Sequence, residues 1–489
     1  MVGGGAPVQQ LLPDSIGQSS SLREGRKLYQ YLAAGVAGLL ALQVGIVLAW
    51  TSPMLPYLTS EESFVTVTDE QSSWITSLAA IGGLLGALPA GKLADSVGRR
   101  RSMLVMGGPF LLSWILLVLA TDIWSLYAAR LIAGIGSGAN CVLSLMYVGE
   151  IAETSVRGTL SSTFAVLIAC GILYAYAAGS MLSYRIFATS CGVLILVFFV
   201  LSPFLTESPT WLVQQSRKIE ANEALLKLRG PEYDTKAEIA LLQSHAVEQE
   251  SKKGGIRDLV GTRAGRKAMT TCLGLMFFQQ LSGIDAVLSY TVSIFQMAGS
   301  TIEPFVATVI IGLVEVVMSV TVVVIIDRVG RRPLLIISGT IMAMCLATLG
   351  YYFKLKNSGT DVSGVGWIPL VSLTVYNVVF SIGYGSIPWT MISELFPPET
   401  KGVASSISLA VNWALVFAVT KLFPTMIQHL GESVTFWIFA ALMILATLFS
   451  FLVVPETKGK SLDQIQSKLS RGRAGVSLHT FGNAQGVNL

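Results

Sequence analysis

The chain has 489 residues, 52% of them hydrophobic and only 13% charged, with a mean hydropathy of +0.65. Soluble domains carry about 25% charged residues, so a soluble fold is excluded and an all-α membrane protein is expected. The net charge of +4 reflects basic loops on one side of a bilayer and not a nucleic-acid surface, so no nucleic-acid partner is expected.

Apolar runs long enough to cross a ~30 Å hydrocarbon core recur along the chain, and they predict about twelve spans. Residues 1–30 form a polar tail with Arg23, Arg26 and Lys27 and lack the apolar core of a cleavable signal peptide. Spans at roughly 31–52, 73–94, 103–121, 125–148, 160–181 and 186–205 make a first six-helix bundle, 31–205. The first loop, 53–72, holds Glu61, Glu62, Asp69 and Glu70 and no Lys or Arg. Residues 206–267 form a polar insertion, and 218–230 and 236–250 within it have helical apolar spacing. Spans at roughly 268–297, 304–326, 333–353, 366–394, 403–427 and 433–454 make a second bundle, 268–454, followed by a tail, 455–489. Basic residues crowd the N-terminal tail, the insertion, the loops after spans two and eight, and the C-terminal tail. That side is cytoplasmic by the positive-inside rule, which places both termini inside.

The halves repeat each other. GKLADSVGRRR (91–101) after span two matches VVIIDRVGRRP (323–333) after span eight. GEIAETSVRG (149–158) after span four matches SELFPPETKG (393–402) after span ten, and TESP (206–209) matches PET (455–457). Such repeats place a substrate site between them near the membrane midplane. Asp95, Arg99, Arg100, Glu150 and Arg157, with their counterparts Asp327, Arg331, Arg332, Glu394 and Lys401, ring the cytoplasmic mouth. They are expected to face the cytoplasm, to pair when that mouth closes and to separate when it opens. The five cysteines fall inside predicted spans and the three histidines are scattered, so neither a metal nor any other cofactor is expected. GALPAGKL (86–93) ends with Leu93 where a phosphate-binding loop needs Ser or Thr, and no strand precedes it.

The polar residues inside the spans are the candidate site, because such groups are costly in lipid and usually line a pathway. Gln279 and Gln280 bring amides that donate and accept. Asp285 lies in the same span, and Glu315 lies about 18 Å along span eight from Asp327. Arg130 sits in span four. In span ten, FSIGYGSIPW (380–389) breaks the helix at Gly383, Gly385 and Pro388 and brings Phe380 and Trp389 near the centre. Asn412 and Trp413 follow in span eleven.

QQLSGIDAVLSY (279–290), YVGEIAETSVRG, DRVGRRP, IPWTMISELFPPETKG and VPETKG together resemble the sugar porter family of the major facilitator superfamily. Within it, the chain is similar to insect trehalose facilitators and animal glucose facilitators, over about residues 30–465. The resemblance implies alternating access to a central sugar site at the plasma membrane. It implies sugar-binding roles for Gln279, Gln280, Trp389 and Asn412, with spans seven and ten as gates, Tyr290 and Pro388 among their residues. The chain departs from the family pattern at Asp285 and Glu315, where asparagines are usual, and at Ala165, Ser381 and Ser289. The expected function is facilitated diffusion of trehalose or a hexose, without enzymatic activity; the partners are the sugar and the lipid bilayer. The alternatives are a proton-coupled symporter using Asp285 and Glu315, and a non-transporting sugar sensor. Span one lacks the aspartate of related proton-coupled porters, and the tail after Pro455 is short for a sensor.

Overall fold

The computed structural model describes residues 25–251 and 255–470, and the outer parts of both tails lie outside that range. All regular elements among the described residues are helical, and eleven helices are long and apolar enough to cross a membrane. In chain order these are α1 (Leu28–Leu58), α2 (Asp69–Val97), α3 (Arg99–Val118), α4 (Ile123–Ile151), α5 (Arg157–Met181) and α6 (Tyr184–Phe204). They continue with α7 (Arg263–Ala298), α8 (Pro304–Val329), α9 (Arg331–Asn357), α10 (Ser363–Leu395) and α11 (Pro398–Leu452). Eleven replaces the expected twelve because α11 runs for 55 residues, about 82 Å at 1.5 Å per residue. It is interrupted only at Gly431, whose φ of 79° is non-helical.

Two single-residue reversals explain the repeated loops. α2 ends at Val97 and α3 starts at Arg99; α8 ends at Val329 and α9 starts at Arg331. The residues between are Gly98 (φ +98°) and Gly330 (φ +107°), a backbone region that only glycine enters cheaply. The arginines that look like loop residues in the sequence are therefore the first turns of helices.

The two halves of the chain pack differently. α2 packs on α4 and α1 on α5 with backbones in contact. A Cβ at Gly138 would stand 1.9 Å from the Gly83 carbonyl, and one at Gly171 would stand 2.1 Å from that of Leu42. Between the spans of the second half, Gly274 faces the Phe449 ring and Gly350 the Trp437 ring. That half also holds the irregular backbone. Gly283 is left-handed, Tyr290 is non-helical inside α7, and Ser381–Gly385 forms a π turn in α10. The expected break at Gly383 and Gly385 is thus a local widening of the helix, the kind of defect that recurs at functional sites.

Four short helices occupy the polar insertion, Pro209–Gln214, Lys218–Arg229, Thr235–Ser251 and Ile256–Gly261; two of them match the expected segments. A further helix, Leu462–Ser470, lies in what reads as tail, and it buries Ile465 and Leu469.

Candidate functional site

Gln279 and Gln280 sit in the last turn before the break at Gly283, and both are buried. Their roles differ. Gln279 Nε2 donates to the carbonyls of Tyr384 (2.8 Å) and Gly385 (3.2 Å), the first of which has no i+4 donor because Pro388 lacks an N–H. Its Oε1 accepts from Asn412 Nδ2 at 3.1 Å. Gln279 therefore ties α7 to the breaks of α10 and to α11, and its hydrogen-bonding groups are engaged inside the protein. Gln280 Oε1, by contrast, is buried with no partner. An unpartnered buried acceptor costs about 1–3 kcal/mol, so this carbonyl is the better-placed group for an incoming hydroxyl.

Asp285, Ser289, Arg130, Trp413 and Thr420 line a small central cavity of roughly 20 Å³, room for about one water molecule. Arg130 is 2% exposed. It donates to the carbonyls of Ile75 (3.1 Å) and Val47 (3.0 Å), and its guanidinium lies 5.3 Å from the Trp50 ring centroid. Its remaining nitrogen, Asp285 Oδ2, Glu315 Oε2 and Trp413 Nε1 are all buried without partners. Phe380 stacks on Tyr376, with centroids 6.4 Å apart, while Trp389 is 42% exposed and Pro388 is buried in the first turn after the π turn. The structure thus joins Gln279 to Asn412 and places Asp285 on the central cavity. It gives Trp389 and Phe380 no hydrogen bond to this set.

The two halves of the chain meet at one end of this cavity. That end carries the acidic loop 53–68. The Val292 N–H donates to Ser52 Oγ (3.2 Å), and the Tyr176 hydroxyl donates to the Leu288 carbonyl (2.9 Å). Lys421 Nζ donates to Ser73 Oγ (2.7 Å) and lies 4.3 Å from the Trp74 ring centroid. Trp74 in turn packs against Phe417. Among the described residues, every hydrogen bond between α1–α6 and α7–α11 lies toward this end. Tyr290, expected as a gate, donates from its hydroxyl to the Thr420 carbonyl (3.3 Å) and packs on Phe423.

At the basic end the charged residues correct the sequence reading. Arg99 does not face solvent; its side chain is 4% exposed. It is held by Glu150 (2.9 Å), Asp95 (3.1 Å) and the Ala94 carbonyl (3.0 Å). Arg331 repeats this with Glu394 at 2.9 Å. The side chain of Asp327 lies outside those described. Arg157 donates to the Ala152 carbonyl (3.4 Å) and forms no ion pair among the described residues, and Lys401 is exposed. These ion pairs join helices within one half of the chain. Among the described residues they are formed while no hydrogen bond crosses between the halves at this end, so they are not bonds across the mouth.

Two acids went unassigned in the sequence. Glu207 Oε1 accepts from the backbone N–H groups of Arg99 (2.8 Å), Arg100 (3.0 Å) and Ser208 (2.9 Å). It caps α3 at the reversal. Glu456 caps α9 in the same way, accepting from the N–H groups of Arg331, Arg332, Thr457 and Lys458. Burial acts to raise the Glu456 carboxyl, and these four backbone donors outweigh it, holding it below the ordinary range. The hydroxyls of Ser208 and Thr457 complete each cluster by donating to Glu150 and Glu394. The repetition of TESP and PET was the available signal; the partners, more than 100 positions away, were not. No group of three or more metal-ligating side chains occurs among the described residues.

Residues 33–469 match the family described as "Sugar (and other) transporter". The chain belongs to this family. It is a transporter family, not an enzyme family. The chain is 38% identical to a facilitated trehalose transporter of Polypedilum vanderplanki over 90% of its own length and 88% of that protein. It is 38% identical to a facilitated trehalose transporter of Aedes aegypti, of which it covers 55%; it spans about half the length of several such relatives. The partially occluded inward-open structure of the xylose transporter XylE from E. coli is 25% identical. It superposes with a TM-score of 0.76 over 89% of this chain and 100% of that one. XylE bound to a bromodeoxyglucose superposes less closely, with a TM-score of 0.71 over 90% of this chain and 99% of that one. The fold is that of a multi-span transporter of the major facilitator superfamily.

Proposed function

We propose that this protein carries a sugar across the membrane down its gradient by alternating access. The observation that carries the reading is the division of labour between the two glutamines: Gln279 secures the breaks in α10, and Gln280 offers a free acceptor beside them. The similarity to proteins named facilitated trehalose transporters favours trehalose or a hexose as cargo. The break of α11 at Gly431 supports two crossings in that helix, hence twelve in all, arranged as bundles 31–205 and 268–454 around the linker 206–267. The basic end faces the cytoplasm with both termini, in the plasma membrane. The contacts at the acidic end then make this the inward-facing state, in keeping with the higher score against inward-open XylE. Each Arg–Glu cluster acts as a brace inside one half, so that the half moves as a unit.

Uptake of labelled trehalose and glucose into proteoliposomes, with and without a proton gradient, tests this. Equilibration of one of them without a gradient is expected. Gln280→Ala should raise the half-saturation concentration about tenfold, one lost hydrogen bond of about 1.4 kcal/mol. Unchanged affinity in that variant would remove Gln280 from the site.

A second reading rests on Asp285 and Glu315. Each keeps a buried oxygen without a partner, an atom that a bound proton could occupy. A proton bound there would couple sugar flux to pH. Under facilitated diffusion, Asp285→Asn should leave gradient-free equilibration intact and abolish no accumulation, because none occurs. Accumulation above equilibrium that needs the gradient, and is lost in Asp285→Asn, would establish the symporter instead.

A further inference from the structure

A second cavity opens at the basic end, away from the central site. Its volume is about 1120 Å³, and its walls are the start of α7, the start of α9, the last turn of α11 and the helix Leu462–Ser470. Five cations line it: Arg263, Arg266, Lys267, Arg332 and Lys468. Two acids share the lining, Glu456 and Asp463. Glu456 is occupied by four backbone N–H donors, so it neutralises little of this charge. Arg332 donates to the Phe451 carbonyl and stacks on that ring, and its Nε is buried without a partner.

The opposite wall is apolar. Phe451, Leu452 and Val453 are 56%, 47% and 42% exposed at the end of a membrane-crossing helix. A site for a soluble anion has no use for such a wall, whereas a lipid needs both parts. We infer that this crevice holds an anionic phospholipid of the leaflet at the basic end, with its phosphorylated headgroup among the arginines and an acyl chain along Phe451–Val453. Basic pockets beside membrane helices recognise such headgroups, each cation contributing about fivefold in affinity. Lys267 Nζ donates to the Leu469 carbonyl at 2.8 Å, so the helix Leu462–Ser470 closes the crevice like a clasp, and lipid would hold that helix in place.

The test is native mass spectrometry of the full chain in detergent, titrated with phosphatidylinositol 4-phosphate, phosphatidylcholine or the water-soluble inositol bisphosphate headgroup. The phosphoinositide should be retained at least tenfold better than phosphatidylcholine. Replacing the exposed Arg263, Arg266 and Lys468 together by Gln should erase that preference, whereas Arg217→Gln, in the linker, should not. Phe451→Ser should weaken retention of the lipid and leave the headgroup unaffected. Equal retention of the two lipids, or a triple variant that behaves like wild type, would overturn the site. A headgroup that binds as tightly as the lipid would reassign it to a soluble phosphate. None of these readouts depends on sugar transport.

Discussion

Arg99→Ala should destabilise the protein by about 3–5 kcal/mol, the usual cost of leaving one partner of a buried ion pair alone. Arg99 is 4% exposed, and Glu150, which it holds, is 17% exposed. Removing the guanidinium leaves that carboxylate with the Ser208 hydroxyl as its remaining close partner and takes one of two donors from the Ala94 carbonyl, which keeps the Gly98 N–H. Arg331→Ala should cost less, because Arg331 and Glu394 are 13% and 22% exposed and water can replace part of what is lost. Asp95→Asn should cost little, since Asp95 is 70% exposed. Thermal unfolding of the detergent-solubilised variants, followed by tryptophan fluorescence, measures the order. The pair Arg99→Ala with Glu150→Ala should lose less than the sum of the two single changes. Melting temperatures equal to wild type for both arginine variants would end the idea that the clusters brace each half.

Lys421→Met should have the second-largest effect, on conformation and not on stability. Lys421 is the cation that bonds across the acidic end, to Ser73 and over Trp74. A hydrogen bond from a charged donor and a cation–π contact together amount to about 2 kcal/mol, which corresponds to roughly a thirtyfold change in population. The variant should therefore spend far more time open at the acidic end. A Ser289→Cys reporter on the central cavity, labelled from that side by a membrane-impermeant maleimide, reads this directly. Labelling should quicken in Lys421→Met and stay slow in wild type. Equal rates would show that the aromatic and backbone contacts hold that end alone.

Much of this molecule is legible in its sequence. Apolar runs locate the helices to within a few residues, because a membrane core demands nothing subtler than length and hydropathy. Gly383, Gly385 and Pro388 announce the break in α10, and the paired motifs announce the duplication. What stayed hidden depends on direction. Arg99 reads as a solvated loop charge, since basic residues at a span end usually are, and only the reversal at Gly98 turns it inward. Gln279 and Gln280 are neighbours of one chemical type, and nothing in their order says which is tied to α10 and which is free. Lys421 drew no assignment in the sequence, where it lies inside the run 403–427; that it grips Trp74 is a fact of how the halves meet.

The contrast between glycines that meet backbone and glycines that meet rings has a mechanical consequence. Where α2 meets α4 and α1 meets α5 in the first half, helices touching carbonyl to Cα leave no side-chain layer that could slide or compress, so those seams are stiff. In the second, rings fill the gaps and the chain carries its bends at Gly283, Tyr290 and Ser381–Gly385. A transport stroke then has an anvil and a hammer. The elastic work of each cycle falls on a few residues of α7 and α10, and turnover can be tuned there without disturbing the fold.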